Sequence, residues 1–179
     1  MGLAVIGLAI TFFFQIRTGL LIWHPDQGRQ WSTLSPLFLL LATAIALVEE
    51  VIFRGIFQGQ LETELSPWLA AIVISALFAV LHLLWERRLT LPQLPGLWLL
   101  GMVLVLARWF DGGNLALAWG LHGGWVFGLA SVDATGLLTY PDLGGNVWVG
   151  KQNQPLAGVG GLLCLGMTGV AIAVTGWAW

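Results

Sequence analysis

Residues 47–60 read LVEEVIFRGIFQGQ, which places Glu49, Glu50 and Arg54 inside an apolar run that begins near Ser35. An unpaired charge at the centre of a membrane helix costs roughly 2.5–3.5 kcal/mol, and a Leu or Ile offsets only about 0.3–0.6 of it. Three such charges must therefore be paired or used. On a helix, Glu50 and Arg54 are i,i+4 neighbours with the glutamate on the N-terminal side, the favoured orientation. Glu49 lies about 140° from Arg54 around the same helix. Local geometry thus predicts one paired glutamate and one free carboxylate. Purely structural packing is the alternative, but ionisable groups inside a membrane mark function by default.

Two histidines stand on other apolar segments. His82 lies in SALFAVLHLLWE, where Ser75, Phe78, His82 and Glu86 share one helical face. His122 lies in WGLHGGWVFG, where Gly120, Gly124 and Gly128 form a stripe suited to close helix contact. His122 points away from that stripe, about 160° from Gly120. A free carboxylate and two imidazoles on three helices are what water activation requires. The carboxylate takes the proton, and an imidazole orients the water or stabilises an oxyanion. Glu49, His82 and His122 are equally a three-ligand set for zinc with a fourth position open. The histidines are not one turn apart on one helix, as HExxH would need. No Ser-His-Asp or Cys-His set competes. Ser75 is two turns from His82, and the lone cysteine, Cys164, sits in an apolar run and reads as packing.

The elements that must hold these groups are membrane helices. The chain has 179 residues, 58% hydrophobic and 9% charged, with a mean hydropathy of +0.85. Soluble domains are nearer a quarter charged. An all-α, polytopic transmembrane bundle of about six spans in a single domain is expected. The spans are read as 2–16, about 35–61, 66–85, 92–109, 114–131 and 156–177, with Ser35-Pro36 opening the second. A polar, Gly-rich stretch occupies 132–155. Residues 2–16 lack a basic start and a cleavage site, so a span is preferred to a signal peptide. Tryptophans 23, 31, 68, 85, 109, 177 and 179 fall at or beyond span ends, as interfacial anchors do. Arg17, Arg29, Arg87, Arg88 and Lys151 fall on one side and Arg108 on the other, which assigns the five to the cytoplasm. The net charge of −2 comes without a basic patch and argues against nucleic acid.

These residues also carry a resemblance. Glu49-Glu50-Val51-Ile52-Phe53-Arg54 matches EExxxR and is followed by Gly55, Phe78-Ala79-Val80-Leu81-His82 matches FxxxH, and His122 stands where HxxxN or HxxxD would begin. In order and spacing the chain resembles the CPBP (Abi) family of intramembrane proteases, which includes the CAAX prenyl proteases and bacteriocin-processing or immunity proteins. The likeness covers roughly 35–175, and the tail VWVGKQNQPLAGVGGLL resembles bacterial members. It implies an all-helical, multi-pass protein of a bacterial plasma or thylakoid-type membrane, enclosing a polar intramembrane cavity and acting on a peptide or protein in or at the bilayer. The site is expected to open to the cytoplasm, because His82 lies about one turn before Glu86-Arg87-Arg88 on the side assigned there. Glu49 would be the general base, His82 would position the water and His122 would stabilise the oxyanion. Glu50, Arg54 and Phe78 would support them. No cofactor is expected on a metal-free glutamate mechanism, zinc being the alternative. The chain departs from the pattern at Val126, where the family has a polar residue. That departure favours a second reading, a weak or inactive immunity or chaperone-like protein. A proton-coupled transporter is a third.

Overall fold

The structure is a computed structural model that describes residues 1–84, 87–141 and 146–176. It is a bundle of helices with one two-residue strand pair. Helix α1 is Gly2–Arg17, strand β1 is Ile22–Trp23, and α2 is Gly28–Glu50. A π-helical segment, Val51–Phe57, continues α2 into α3, Gln58–Glu64. Helix α4 is Pro67–Leu81, and the short α5, Arg87–Thr90, leads to α6, Leu94–Phe110. Helix α7 is Ala116–Thr135, β2 is Leu138–Thr139 and α8 is Val159–Gly176.

The packing is that of a chain solvated by lipid. Arg54, Glu50 and Gln58 are wholly buried, while Leu40, Val48, Trp68, Met167 and Val174 face outward. Helices apolar all round belong in a membrane. Among the described residues, Pro25–Glu64, Pro67–Leu84 and Arg87–Phe110 are long and apolar enough to cross one; Gly2–Arg17 and Val159–Thr175 are apolar but shorter. Three of the six expected spans thus meet both conditions.

Several boundaries differ from those expected. Helix α2 starts at Gly28, and Pro36 lies inside it. Proline cannot donate to the carbonyl four residues back. The Ser35 hydroxyl donates to that carbonyl, Ser32 O, at 3.3 Å, so the helix tolerates Pro36. Helix α4 stops at Leu81, and His82 opens a tight 3₁₀ turn, His82–Leu84. Trp85, which ends the expected third span, and Glu86, expected on the helical face of His82, lie outside the described residues, as do Trp177 and Trp179. The stretch expected to be only polar connection holds β2, which pairs antiparallel with β1 through Ile22–Thr139 and Trp23–Leu138. His24 Nε2 lies 2.7 Å from Thr139 Oγ1 and strengthens the pair. The pair ties the α1–α2 connection to the exit of α7.

The glycine stripe works as expected. A methyl group at Gly124 would stand 2.9 Å from Ala4 Cβ, and one at Gly128 2.6 Å from Leu8 Cδ1, so α1 lies directly on α7. At the opposite end from the strands, Glu62 joins α3 to α6. It accepts from Arg108 at 3.0 Å, Trp109 Nε1 at 2.9 Å and Gln58 Nε2 at 2.7 Å. Arg108 is therefore held in a structural clamp.

Candidate active site

The acidic pair sits where α2 gives way to the π-helical segment. The wider π turn means that 100° per residue does not hold through 51–57, yet the Glu50–Arg54 pairing survives. Arg54 NH1 donates to Glu50 Oε1 at 3.0 Å, and neither side chain is exposed. Single π turns inside α-helices occur frequently at functional sites. Arg54 NH2 also donates to Gly101 O on α6 at 3.3 Å, and its guanidinium lies 4.5 Å over the Phe78 ring. Hydrogen bonds, a counter-ion and an aromatic face together make a buried arginine tolerable.

Gly101 is needed for this. A methyl group there would lie 2.8 Å from Ser75 Cβ and 3.0 Å from Ser75 Cα. Backbone atoms cannot step aside, so Gly101→Ala should force α4 from α6 and move the carbonyl that Arg54 uses. Overpacking of this kind costs about 1–3 kcal/mol. A melt in detergent should show a lowered transition; an unchanged one would mean the helices have slack there.

His122 joins the same carboxylate. Its Nδ1 is 2.8 Å from Glu50 Oε1, so Arg54 and His122 converge on one oxygen. A carboxylate paired with arginine accepts only, which places the proton on His122 Nδ1. Nε2 then faces Glu49 Oε2 at 3.6 Å. Glu49 Oε2 is buried and accepts no hydrogen bond among the described residues. Lone pairs on both atoms demand a proton on one of them, or a donor between them. The resulting order is Glu49, His122, Glu50, Arg54.

His82 stands apart from this chain. Its Nδ1 donates to Phe78 O at 2.8 Å, and a carbonyl can only accept, so Nε2 of the neutral ring carries the lone pair. The Phe78 ring lies against both imidazoles, with ring centroids 4.5 Å from His82 and 5.7 Å from His122. Both histidines line one inner cavity of about 230 Å³, with Trp125, Val126 and Leu100. Glu49 is not among its lining residues and meets it through His122.

Among the described residues, no three His, Cys, Asp or Glu side chains are placed to hold a metal ion. His122 uses Nδ1 on Glu50, so among the described residues Glu49, His82 and His122 are not arranged as a three-ligand set.

An outer cavity of about 320 Å³ adjoins the inner one, sharing Gln93, Val126, Leu129 and Pro155 in its walls. Asp133 and Tyr140 line it at the end of the bundle where β1 and β2 pair. Burial, with the Asp133 carboxylate adding to it, pushes the Tyr140 phenol up to about 12, so it stays a neutral hydroxyl at neutral pH. Arg17 and Arg29, flanking β1 in sequence, belong to this same end. Val126 lies where the two cavities meet, one turn after His122, and offers no polar atom.

Sequence reasoning found every charged member of this cluster and missed the bond between Glu50 and His122. That contact joins residues 72 apart on different helices, which no local spacing encodes. His122's position opposite the glycine stripe was the one signal pointing to it.

Neither a curated protein nor a solved structure shows a significant match to the chain. The family described as type II CAAX prenyl endopeptidase Rce1-like matches residues 31–128, more than half of the chain and the segment that contains Glu49, Glu50, Arg54, His82 and His122. The chain belongs to the Rce1-like family of type II CAAX prenyl endopeptidases.

Proposed function

We propose that this chain is an intramembrane endopeptidase that hydrolyses a peptide bond with a water activated by Glu49. The observation that carries the reading is the Glu49 carboxylate oxygen, which has no hydrogen-bond partner among the described residues and faces Nε2 of His122, a residue lining the inner cavity. The water gives one proton to Glu49, and its oxygen bonds to the scissile carbonyl carbon. The carbonyl oxygen becomes an oxyanion. Glu49, directly or through His122 Nε2, returns the proton to the amide nitrogen, and the C–N bond breaks to leave a carboxylate and an amine. Glu50 would stabilise His122 while it is protonated, and His82 Nε2 would accept from the attacking water. No metal enters these steps.

The substrate would enter from the end where the strands pair, and the bias of basic residues assigns that end to the cytoplasm. Family membership supports a peptide with an isoprenylated cysteine near its C-terminus. Val126 favours a second reading, a member with weak or no cleavage that holds a partner segment in the same cavity. Purified protein in liposomes, given an isoprenylated peptide and its unmodified twin, tests the two. Release of the C-terminal fragment from the isoprenylated peptide, undiminished by a strong zinc chelator, is expected. Binding without release would favour the second reading, and loss of activity in chelator would overturn the metal-free mechanism.

A further inference from the structure

Resting on the hydrolytic reading above, we propose that the isoprenyl chain of the substrate leaves the inner cavity through the seam between α1 and α8 and lies in the lipid-facing groove outside it. In a C-a-a-X terminus the modified cysteine is the fourth residue from the end. Any bond cut between it and the C-terminus lies within about 10 Å of that cysteine, at roughly 3.5 Å per extended residue. A chain of about fifteen or twenty carbons therefore starts beside the catalytic groups. The inner cavity is too small for all of it. Its volume is about 230 Å³. A cavity of ~150 Å³ holds one benzene, so on that scale this one takes roughly nine carbons. The rest of the chain needs a second apolar space.

Two spaces border the inner cavity, and they differ in character. The outer cavity carries Asp133, Tyr140 and the amides of Asn153 and Gln154, which suit a peptide and not a hydrocarbon. The other is a groove of about 540 Å³ between α1 and α8, walled by Leu3, Ile6, Ile10, Leu163 and Met167. The threonine hydroxyls in it are spent inside their own helices, Thr11 on Gly7 O at 2.9 Å and Thr168 on Cys164 O at 2.8 Å. Ile6, Ile10 and Met167 are exposed, so the groove opens to lipid. At Cys164 groove and cavity share a wall: Cys164 lines both, while its neighbours on α1, Gly7 and Leu8, line the groove and the cavity in turn. A methyl group on Gly7 would stand 3.1 Å from Cys164 Sγ, so the seam closes on a glycine and a small thiol. In a bilayer no hydrophobic force holds two apolar helices together, and a hydrocarbon chain can replace their contacts. The distance also fits. Leu8 meets Gly128 on α7, about 9 Å along that helix from His122. The first carbons of the chain would span the inner cavity, and the remainder would pass Gly7 and Cys164 to lie in the groove.

The chain has a single cysteine, so Gly7→Cys creates one possible bridge, to Cys164. The 3.1 Å spacing lets the two sulfurs bond on oxidation and locks the seam. In liposomes, oxidation of the full-length Gly7→Cys protein should lower kcat/KM for a farnesylated peptide about tenfold or more, because binding energy from a remote part of the substrate is lost. A thiol reductant should restore it. A twin peptide whose thioether chain has only about five carbons fits within the inner cavity and should turn over equally before and after oxidation. Equal turnover of the farnesylated peptide in the two states, or equal loss of both peptides, would overturn the seam. Gly7→Cys with Cys164→Ala cannot form the bridge and should ignore the oxidant; the same loss there would count against the seam. A binding arm needs no cleavage. A farnesylated peptide with a photoreactive diazirine at the far end of its chain should label wild type near Ile6, Ile10, Leu163 or Met167. Label confined to the walls of the outer cavity would overturn the proposal. Wild type that is labelled at the seam but cuts nothing contradicts the hydrolytic reading alone, whereas wild type that cuts while the label lies elsewhere contradicts the seam alone.

Discussion

Glu49→Gln is expected to reduce cleavage by about 10²–10⁴-fold, the range for loss of a positioned general base, and to leave the melting temperature near that of wild type. The two halves of this expectation have separate causes. The amide keeps the size of the carboxylate but cannot take a proton from water. Stability is spared because Glu49 Oε2 accepts no hydrogen bond among the described residues, and the side chain is 26% exposed. His122 loses only a partner at 3.6 Å, while its bond to Glu50 at 2.8 Å remains. A variant that melted well below wild type would show that Glu49 is structural.

Glu50→Gln should behave in the opposite way, with stability suffering first. The Glu50 carboxylate is the counter-ion of an arginine that has no exposure at all. Removing one member of a buried pair costs about 3–5 kcal/mol, mostly through the charge left behind. For a chain of this length each kcal/mol moves the transition by about 2–4 °C, so a drop of roughly 6–20 °C is expected. Arg54→Met should resemble it. The double variant should recover part of the loss, because no lone charge remains. Activity of the folded fraction should also fall in Glu50→Gln, since His122 loses the carboxylate that fixes its tautomer and stabilises its protonated form. Melts of the four proteins beside their cleavage rates decide the matter. Additive losses in the double variant would mean that Glu50 and Arg54 do not act as a pair.

The contrast between Glu49 and Glu50 was legible from spacing, because an i,i+4 relation is set by the helix itself. It held even though the helix widens into a π segment at Val51–Phe57, a change that apolar periodicity does not announce. The all-helical membrane fold was legible for a coarser reason: 9% charged residues cannot cover a soluble domain. What escaped depends on distant partners or on local compensation. Pro36 reads as a helix start until the Ser35 hydroxyl is seen to satisfy the carbonyl that proline leaves open. The β1–β2 pair consists of two residues on each strand, too short for any alternation to show. Residue types alone permit ligation by Glu49, His82 and His122, but they do not announce that His122 Nδ1 is engaged by Glu50.

The central claim is that water activated by Glu49 cuts a peptide bond, and the product carries the record. Wild type and Glu49→Gln should be reconstituted in liposomes and given an isoprenylated peptide in water enriched in ¹⁸O, and the products weighed by mass spectrometry. The account predicts scission by wild type at one bond, one ¹⁸O atom in the new carboxylate after a single turnover, and almost no product from Glu49→Gln. Equal product from the two proteins, or an intact peptide after prolonged incubation with wild type, would contradict it.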